Sequence, residues 1–354
     1  MGGNTTKPRP RQIRVTSFDV AAEAGVSQST VSRALAGDPV VSEATRLRVA
    51  EAARKLNYFV DENAARLRTG RTGTLAVVVV CRPGEDRKDL NPFHSALLAS
   101  LCGAASLRGY ETLVSFQDGP ENFSGRYQEQ RKADGLAVIG TTENYSAWEY
   151  FRALSSANQN GGGMHWVCWG APFDDVEWIR SDNHGGARLA TRHLIEQGCR
   201  KIVCIGSETS PQRQFGERYD GYAEEMRAAG LEPVLAPIDK GHTREEQGQR
   251  AVADLIERGV EFDALFAVCD PIALGALDEL HARNLAVPGK VALVGFDGIR
   301  AGAYSAPPLT SVEPDFRAAG EMMVGKLIAA IADEPHEARR VPVKLLVRES
   351  SLRG

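Results

Sequence analysis

The chain has 354 residues, 43% of them apolar and 25% charged, with a formal net charge of −4. That length suits two or three domains, and the composition is that of a globular chain able to bury a large core. Six scattered cysteines without a CxxC pair, and no apolar run near the ~18 residues of a membrane span, argue against a disulfide scaffold, a zinc site and a bilayer helix.

The start, MGGNTTKPRPRQIRV, carries charge with no apolar segment behind it. Secretion is therefore not expected, and the cytoplasm is the expected compartment. The cysteines, several inside strand-like runs such as KIVCIG, read as small buried hydrophobes. Charge is unevenly spread, with residues 1–71 netting +5 and the remainder −9. A polyanionic partner is thus expected at the front end of the chain.

Residues 1–14 are polar, basic and proline-containing, a tail expected to be disordered. A helix is predicted over Ser17–Ala24, capped by Thr16, with Asp19 at its positive end and Val20, Ala21 and Ala24 on one face. Gly25 supplies a turn and Val26 plugs it. Ser27 caps a second helix, Gln28–Leu35, whose inward residues are Val31 and Leu35. Gly37-Asp38-Pro39 breaks the chain. Ser42 then caps a third helix, Glu43–Leu56, with Leu47, Val49, Ala50, Ala53 and Leu56 available for packing. Three short helices with a glycine turn between the first two form a helix-turn-helix pattern, whose second helix enters the major groove. Asp61 caps a short fourth helix reaching about Arg68.

After Thr74 the pattern changes. Strand-like runs (LAVVVV, ETLVSF, GLAVIG, KIVCIG, DALFAVC, KVALVGF) alternate with amphipathic helical stretches at 93–109, 185–197, 219–229, 245–258 and 272–283. Such alternation implies parallel sheets with helices on both faces, and about 280 residues of it suits two lobes better than one. Ligands of open α/β sheets bind beyond strand C-termini. Phe93, His94, Trp169, Asp270 and Asp297 near such ends are the candidates, His94 the weakest of them. Carboxylates and flat aromatic walls suit the hydroxyls and the apolar face of a sugar. There is no GxSxG elbow, Walker loop, GxGxxG fingerprint or metal-spaced His/Cys set, so an enzyme, a cofactor and a metal are not expected.

The stretch VTSFDVAAEAGVSQSTVSRALAGDPVVSEATRLRVAEAARKLNY closely resembles the head of the LacI/GalR (lactose-repressor) family, and ENAARLRTGRTGTLAVVVV, GARLATRHLIEQGCRKIVCIG, VPGKVALVGFDG and PPLTSV extend the likeness over about Val15–Ser350. The resemblance implies a helix-turn-helix domain at 15–60, a hinge helix and linker at 61–72, and an effector-binding and dimerisation core at 73–354. That core is similar to periplasmic binding proteins, with two doubly wound parallel-sheet lobes: an N-lobe of about 73–171 and 304–335, and a C-lobe of about 172–303 and 336–354. Gln28 and Ser29 fall on base-reading positions, with Arg33 further along; Gln suits adenine and Arg suits guanine. Thr16, Ser27, Ser42, Thr45 and Tyr58 fall on DNA-facing positions, and helix-start hydroxyls favour phosphate. Leu67, with Ala64 beside it, matches the apolar wedge that the hinge helix inserts into the minor groove. Such a short helix is marginal alone in water, so it should form only against its twin on DNA.

In the core, the family places an aromatic residue at Phe93 and a ligand-donating arginine at Arg218. This chain departs from the family in the long loop of residues 82–92 and in Trp169, where many members carry Asp. The chain stops at RESSLRG without leucine heptads, so a homodimer on a pseudo-palindromic operator is expected rather than a coiled-coil tetramer. The expected function is a repressor of carbohydrate-utilisation genes released by a sugar. The rivals are a purine-type corepressor-dependent repressor and a sugar-binding protein without regulatory DNA binding.

Overall fold

The computed structural model describes residues 15–58, 70–84, 90–157, 164–209, 212–239, 241–335, 337 and 339–353. The basic tail and the segment expected to form the hinge helix, with Ala64 and Leu67, lie outside the described residues. The chain divides into two compact units, Met1–Thr72 and Gly73–Gly354.

In the first unit, α1 (Ser17–Ala24), α2 (Gln28–Leu35) and α3 (Glu43–Lys55) surround a small core centred on Val20, Val31 and Val49. Gly25 sits at φ 64°, a left-handed turn that glycine adopts without strain. Leu47 and Ala50, expected to pack, instead face solvent, Leu47 with 66% of its surface exposed. The buried stripe of α3 runs through Val49, Ala52 and Ala53, and Leu47 lies about 200° around the helix from Val49.

The second unit holds two six-stranded sheets. In the first, β1 (Thr74–Val80), β2 (Glu111–Gln117), β3 (Gly135–Gly140), β4 (Trp166–Trp169), β5 (Trp178–Ser181) and β11 (Arg339–Val341) run parallel in the order 11-5-4-3-1-2. The period of two along β1 sends Leu75, Val77 and Val79 toward α4 (Pro92–Ser106) and α10 (Phe316–Ile331). Ala76, Val78 and Val80 meet α5 (Tyr145–Ala157) on the opposite face. Both faces are covered, which is why the strand reads as one continuous apolar run.

The second sheet has β6 (Ile202–Gly206), β7 (Val234–Pro237), β8 (Ala264–Ala267), β9 (Ala292–Phe296), β10 (Thr310–Pro314) and β12 (Val343–Leu346) in the order 12-10-9-8-6-7, with only β12 antiparallel. Helices α6 (Asn183–Glu196), α7 (Arg213–Ala228), α8 (Arg244–Glu257) and α9 (Asp270–Ala282) flank it. The helix expected from 219 begins six residues earlier, where Gln212 makes no side-chain cap that would announce it. Sheet pairing also moves the lobe boundaries. β5 and β11 belong to the first sheet and β10 to the second, so the chain crosses between lobes near 182, 315 and 342 rather than near 171, 303 and 335. Short strands carry no pattern that reveals which sheet they join; hydrogen-bond pairing decides it.

No helix among the described residues is long and apolar enough to cross a membrane. The six cysteines are free thiols, Cys102 half-buried and the others buried.

Candidate functional site

The C-terminal ends of β1, β3 and β4 in one lobe, and the residues after β8 and β9 in the other, border a cavity of about 410 Å³. The first turns of α4, α7, α8 and α9 reach the same space through Phe93, Phe215, Arg244 and Pro271. Gly140 ends β3 at φ 125°, and a Cβ there would lie 2.1 Å from the Val80 carbonyl oxygen. Glycine is what lets this strand end close against β1 at the cavity wall.

Four of the five residues expected to bind an effector line the cavity: Phe93, Trp169, Arg218 and Asp297. The Phe93 and Trp169 rings are 5.8 Å apart and both side chains are buried, so they serve the lobe's core and the cavity wall together. Arg218 is 4% exposed and held from several sides. Its Nε donates to Asn183 Oδ1 at 3.0 Å, its Nη1 to the Val268 carbonyl at 2.5 Å, and its Nη2 lies 3.0 Å from Asp297 Oδ1. The guanidinium stacks 3.6 Å above the Phe296 ring. Burial raises the Asp297 carboxyl above the usual carboxylate range, and the charge of Arg218 opposes that rise.

Asp270 does not fit the expectation. It is fully buried at the start of α9 and does not line the cavity. Its Oδ1 accepts from the Ser311 hydroxyl at 2.6 Å and its Oδ2 from the Ile299 N–H at 2.8 Å, so both oxygens are spent on joining α9 to the segment after β9 and to β10. Burial, followed by the nearby charge of Asp297, pushes its carboxyl up to about 8. His94 does line the cavity, and burial together with Arg82 pushes its imidazole down to about 4. The described ends of the long loop, Arg82 and Leu90–Pro92, are also part of the wall.

Sequence reading missed several wall residues. Thr142 Oγ1, Arg180 Nε and Gln214 Oε1 are buried side-chain atoms without a hydrogen-bond partner, and all three residues line the cavity. Thr142 follows the end of β3, where the strand-end rule could have found it. No local signal marks Arg180 or Gln214. Glu143 of the first lobe also went unnoticed: it accepts from Gln212 Nε2 of the second lobe at 2.9 Å, pairs with Arg244 of that lobe, and lies 2.5 Å from Arg82 Nε.

On the head, the expected DNA-facing residues fall at the starts of the three helices, along α2 and just after α3. Ser27 caps it, accepting from the Thr30 N–H at 3.2 Å, and its hydroxyl is 2.9 Å from that of Ser29. Gln28 is half-buried and donates through Nε2 to Ser17 Oγ at 3.2 Å, which ties its amide to the start of α1. Arg33 is exposed one and a half turns on. Thr16 donates its N–H and its hydroxyl to Asp19 Oδ2, each at 2.7 Å. Ser42 caps α3 through the Thr45 N–H at 3.4 Å, and Tyr58 packs half-buried on the head core. Two exposed apolar side chains were not anticipated: Phe18 at 71% on α1 and Val40 at 80% between α2 and α3. A large ring left in water, next in the chain to the Ser17 that accepts from Gln28, is the feature that singles out Phe18.

A helix-turn-helix head in one chain with a two-lobed α/β core around a polar-and-aromatic cavity defines the class of ligand-responsive DNA-binding regulators. The comparisons narrow it. Residues 18–61 match the model of bacterial regulatory proteins of the lacI family, and residues 191–351 match a periplasmic binding protein-like domain. The HTH-type transcriptional regulator CelR of Thermobifida fusca is 33% identical over 348 residues, covering 96% of this chain and 99% of that one. The ribose operon repressor of Escherichia coli (strain K12) is 29% identical over 340 residues, covering 94% and 98%. Among solved structures, a CelR–cellobiose complex matches with a TM-score of 0.65 at 30% identity, covering 95% of this chain and 100% of that one. The lac repressor dimer bound to operator and the anti-inducer ONPF matches with a TM-score of 0.74 at 23% identity, covering 96% and 100%, and shows the shared fold. The chain belongs to the lacI family of bacterial regulators.

Proposed function

We propose that this chain is a homodimeric transcriptional repressor of carbohydrate-utilisation genes, released from a pseudo-palindromic operator by a sugar held between its lobes. The observation that carries the reading is the cavity wall. It combines two aromatic rings, the anchored Arg218, and three buried polar atoms on Thr142, Arg180 and Gln214 that lack partners. A sugar supplies what this wall needs, since each hydroxyl both donates and accepts while the ring's C–H face covers an aromatic plane. An unsatisfied buried polar atom costs about 1–3 kcal/mol, so partners for several of them are a sizeable part of a ligand's affinity. CelR and the ribose operon repressor, the relatives named above, carry sugars in their names or in their bound ligand.

The head reads DNA in this proposal. Gln28, Ser29 and Arg33 meet base edges, Phe18 offers apolar contact to a thymine methyl, and Thr16, Ser27, Ser42, Thr45 and Tyr58 position the head on phosphates. Ala64 and Leu67 in the hinge segment kink the operator centre. Support for pairing comes from the exposed apolar residues Leu107, Leu113, Val114 and Phe116, which run from the end of α4 along the edge strand β2. The sugar changes the angle between lobes, and the paired first lobes then separate or approach the two hinge segments. Coupling of ~1–3 kcal/mol would change operator affinity about 5–150-fold. The protein acts in the cytoplasm, where its operator is, and turns over no substrate.

The test is an operator mobility-shift assay with candidate sugars titrated in. Release of the shifted band by a sugar is the expected result. Tightening by a purine, or failure to retard any upstream DNA at low salt, would overturn the proposal.

A further inference from the structure

The charge of the cavity wall goes further than a neutral sugar requires. Arg180, Arg213, Arg218 and Arg244 all line the cavity. Their carboxylates are shared. Asp174 serves both Arg180 and Arg213, and Glu143, the ion-pair partner of Arg244, also takes Arg82. Glu217 lies 3.8 Å from Arg180 and 3.5 Å from Arg213, but its nearest cation is Arg340 at 2.9 Å. Of the two carboxylates in the wall itself, Asp297 is taken by Arg218 and Glu245 is exposed. The first turns of α4, α7, α8 and α9 add positive partial charge to the same space. Within this wall the Nε–H of Arg180, a side chain 3% exposed, has no acceptor. Counting Arg82 and Arg340, six guanidiniums share the four carboxylates Asp174, Glu143, Glu217 and Asp297. Arg180, Arg218 and Arg244 among them are largely out of water, where charge without a full counter-charge is costly unless an anion meets it.

We infer that the effector is a sugar carrying an anionic group, a phosphate ester or a carboxylate, which sits against Arg180, Arg213 and Arg244. The aromatic pair Phe93 and Trp169 faces the sugar ring, and Thr142 and Gln214 take its hydroxyls. His94, with its imidazole pushed down to about 4, is neutral near neutral pH, so the positive charge of the site is that of the arginines. Guanidiniums match the flat, multi-oxygen geometry of both anions, so the chemistry is common to phosphate and carboxylate. This inference rests on the reading of the cavity as a sugar site.

The experiment is calorimetric titration of the full-length chain with matched compounds: glucose, glucose 6-phosphate and glucuronate, then cellobiose and cellobiose 6-phosphate, with inorganic phosphate and hypoxanthine as controls. An anionic member of a matched set should bind at least about tenfold tighter than its neutral parent, with affinity falling as ionic strength rises. The phosphate and carboxylate arms identify which anion is preferred. Arg244→Gln should remove most of that preference, as should Arg213→Gln at a 44% exposed side chain where folding is not at stake. Neutral sugars binding as tightly as their anionic partners would overturn this inference and leave the sugar-effector reading standing. Binding by hypoxanthine alone, or by no carbohydrate, would overturn both.

Discussion

Replacing Arg218 with alanine tests the anchored wall most directly, and its cost follows from what the guanidinium holds in place. The substitution removes two donations, to Asn183 and the Val268 carbonyl, and the stack on Phe296. It also leaves Asp297 6% exposed without its counter-charge. Removing one partner of a buried ion pair costs about 3–5 kcal/mol. Here the vacated space opens onto the cavity, so water can reach Asp297 and the lower end, about 3 kcal/mol, applies. At roughly 2–4 °C per kcal/mol for a unit of this size, the melting temperature should fall by on the order of 6–12 °C. Most of the cost is the stranded carboxylate, so adding Asp297→Asn to Arg218→Ala should recover more than half of it. The pH dependence has a definite sign. A carboxyl whose folded pKa is raised contributes stability at low pH that is lost as pH rises, so Arg218→Ala should be less damaging at pH 5 than at pH 8. Urea unfolding of the two single variants and the double variant, at both pH values, completes the cycle. A loss below about 1 kcal/mol for Arg218→Ala, or no recovery in the double variant, would refute the reasoning. Operator release by the effector should be lost in Arg218→Ala while operator binding itself is retained.

Three further outcomes are expected. Arg33→Ala should relax base preference about tenfold to a hundredfold at one operator position and leave effector affinity unchanged, as read by competition mobility shifts over single-base operator variants. Asp270→Asn should flatten the pH dependence of stability. The native carboxyl keeps its proton up to about 8 while the unfolded one releases it near 3.8, so the parent protein loses stability as pH rises through that window. Equal slopes for parent and variant in thermal melts from pH 5 to pH 8 would sink that assignment. Gly140→Ala must place a Cβ against the Val80 carbonyl at a positive φ, and a loss above about 2 kcal/mol in urea unfolding is expected together with weaker effector binding.

Much of the molecule was legible in the residue order because its signals are local. Helix caps at Ser27 and Ser42 and the glycine turn at Gly25 act within a few residues, so the first two head helices were placed to the residue. The alternation of apolar runs and amphipathic helices announced two wound sheets. The rule that ligands sit past strand ends pointed to Phe93, Trp169 and Asp297, and the family resemblance to Arg218, all four of which line the cavity. What the residue order could not decide depended on partners far away along the chain. Asp270 looked like a ligand group until Ser311, 41 residues on, and Ile299, 29 residues on, were seen to occupy its oxygens. Membership of β5, β10 and β11 is settled by cross-strand hydrogen bonds, and Asp174 and Glu143 also reach arginines of the opposite lobe, Arg213 and Arg244. Local propensity and periodicity reach about one helical turn or one strand pair; the charge balance of a cleft is set only when separate lobes close around it.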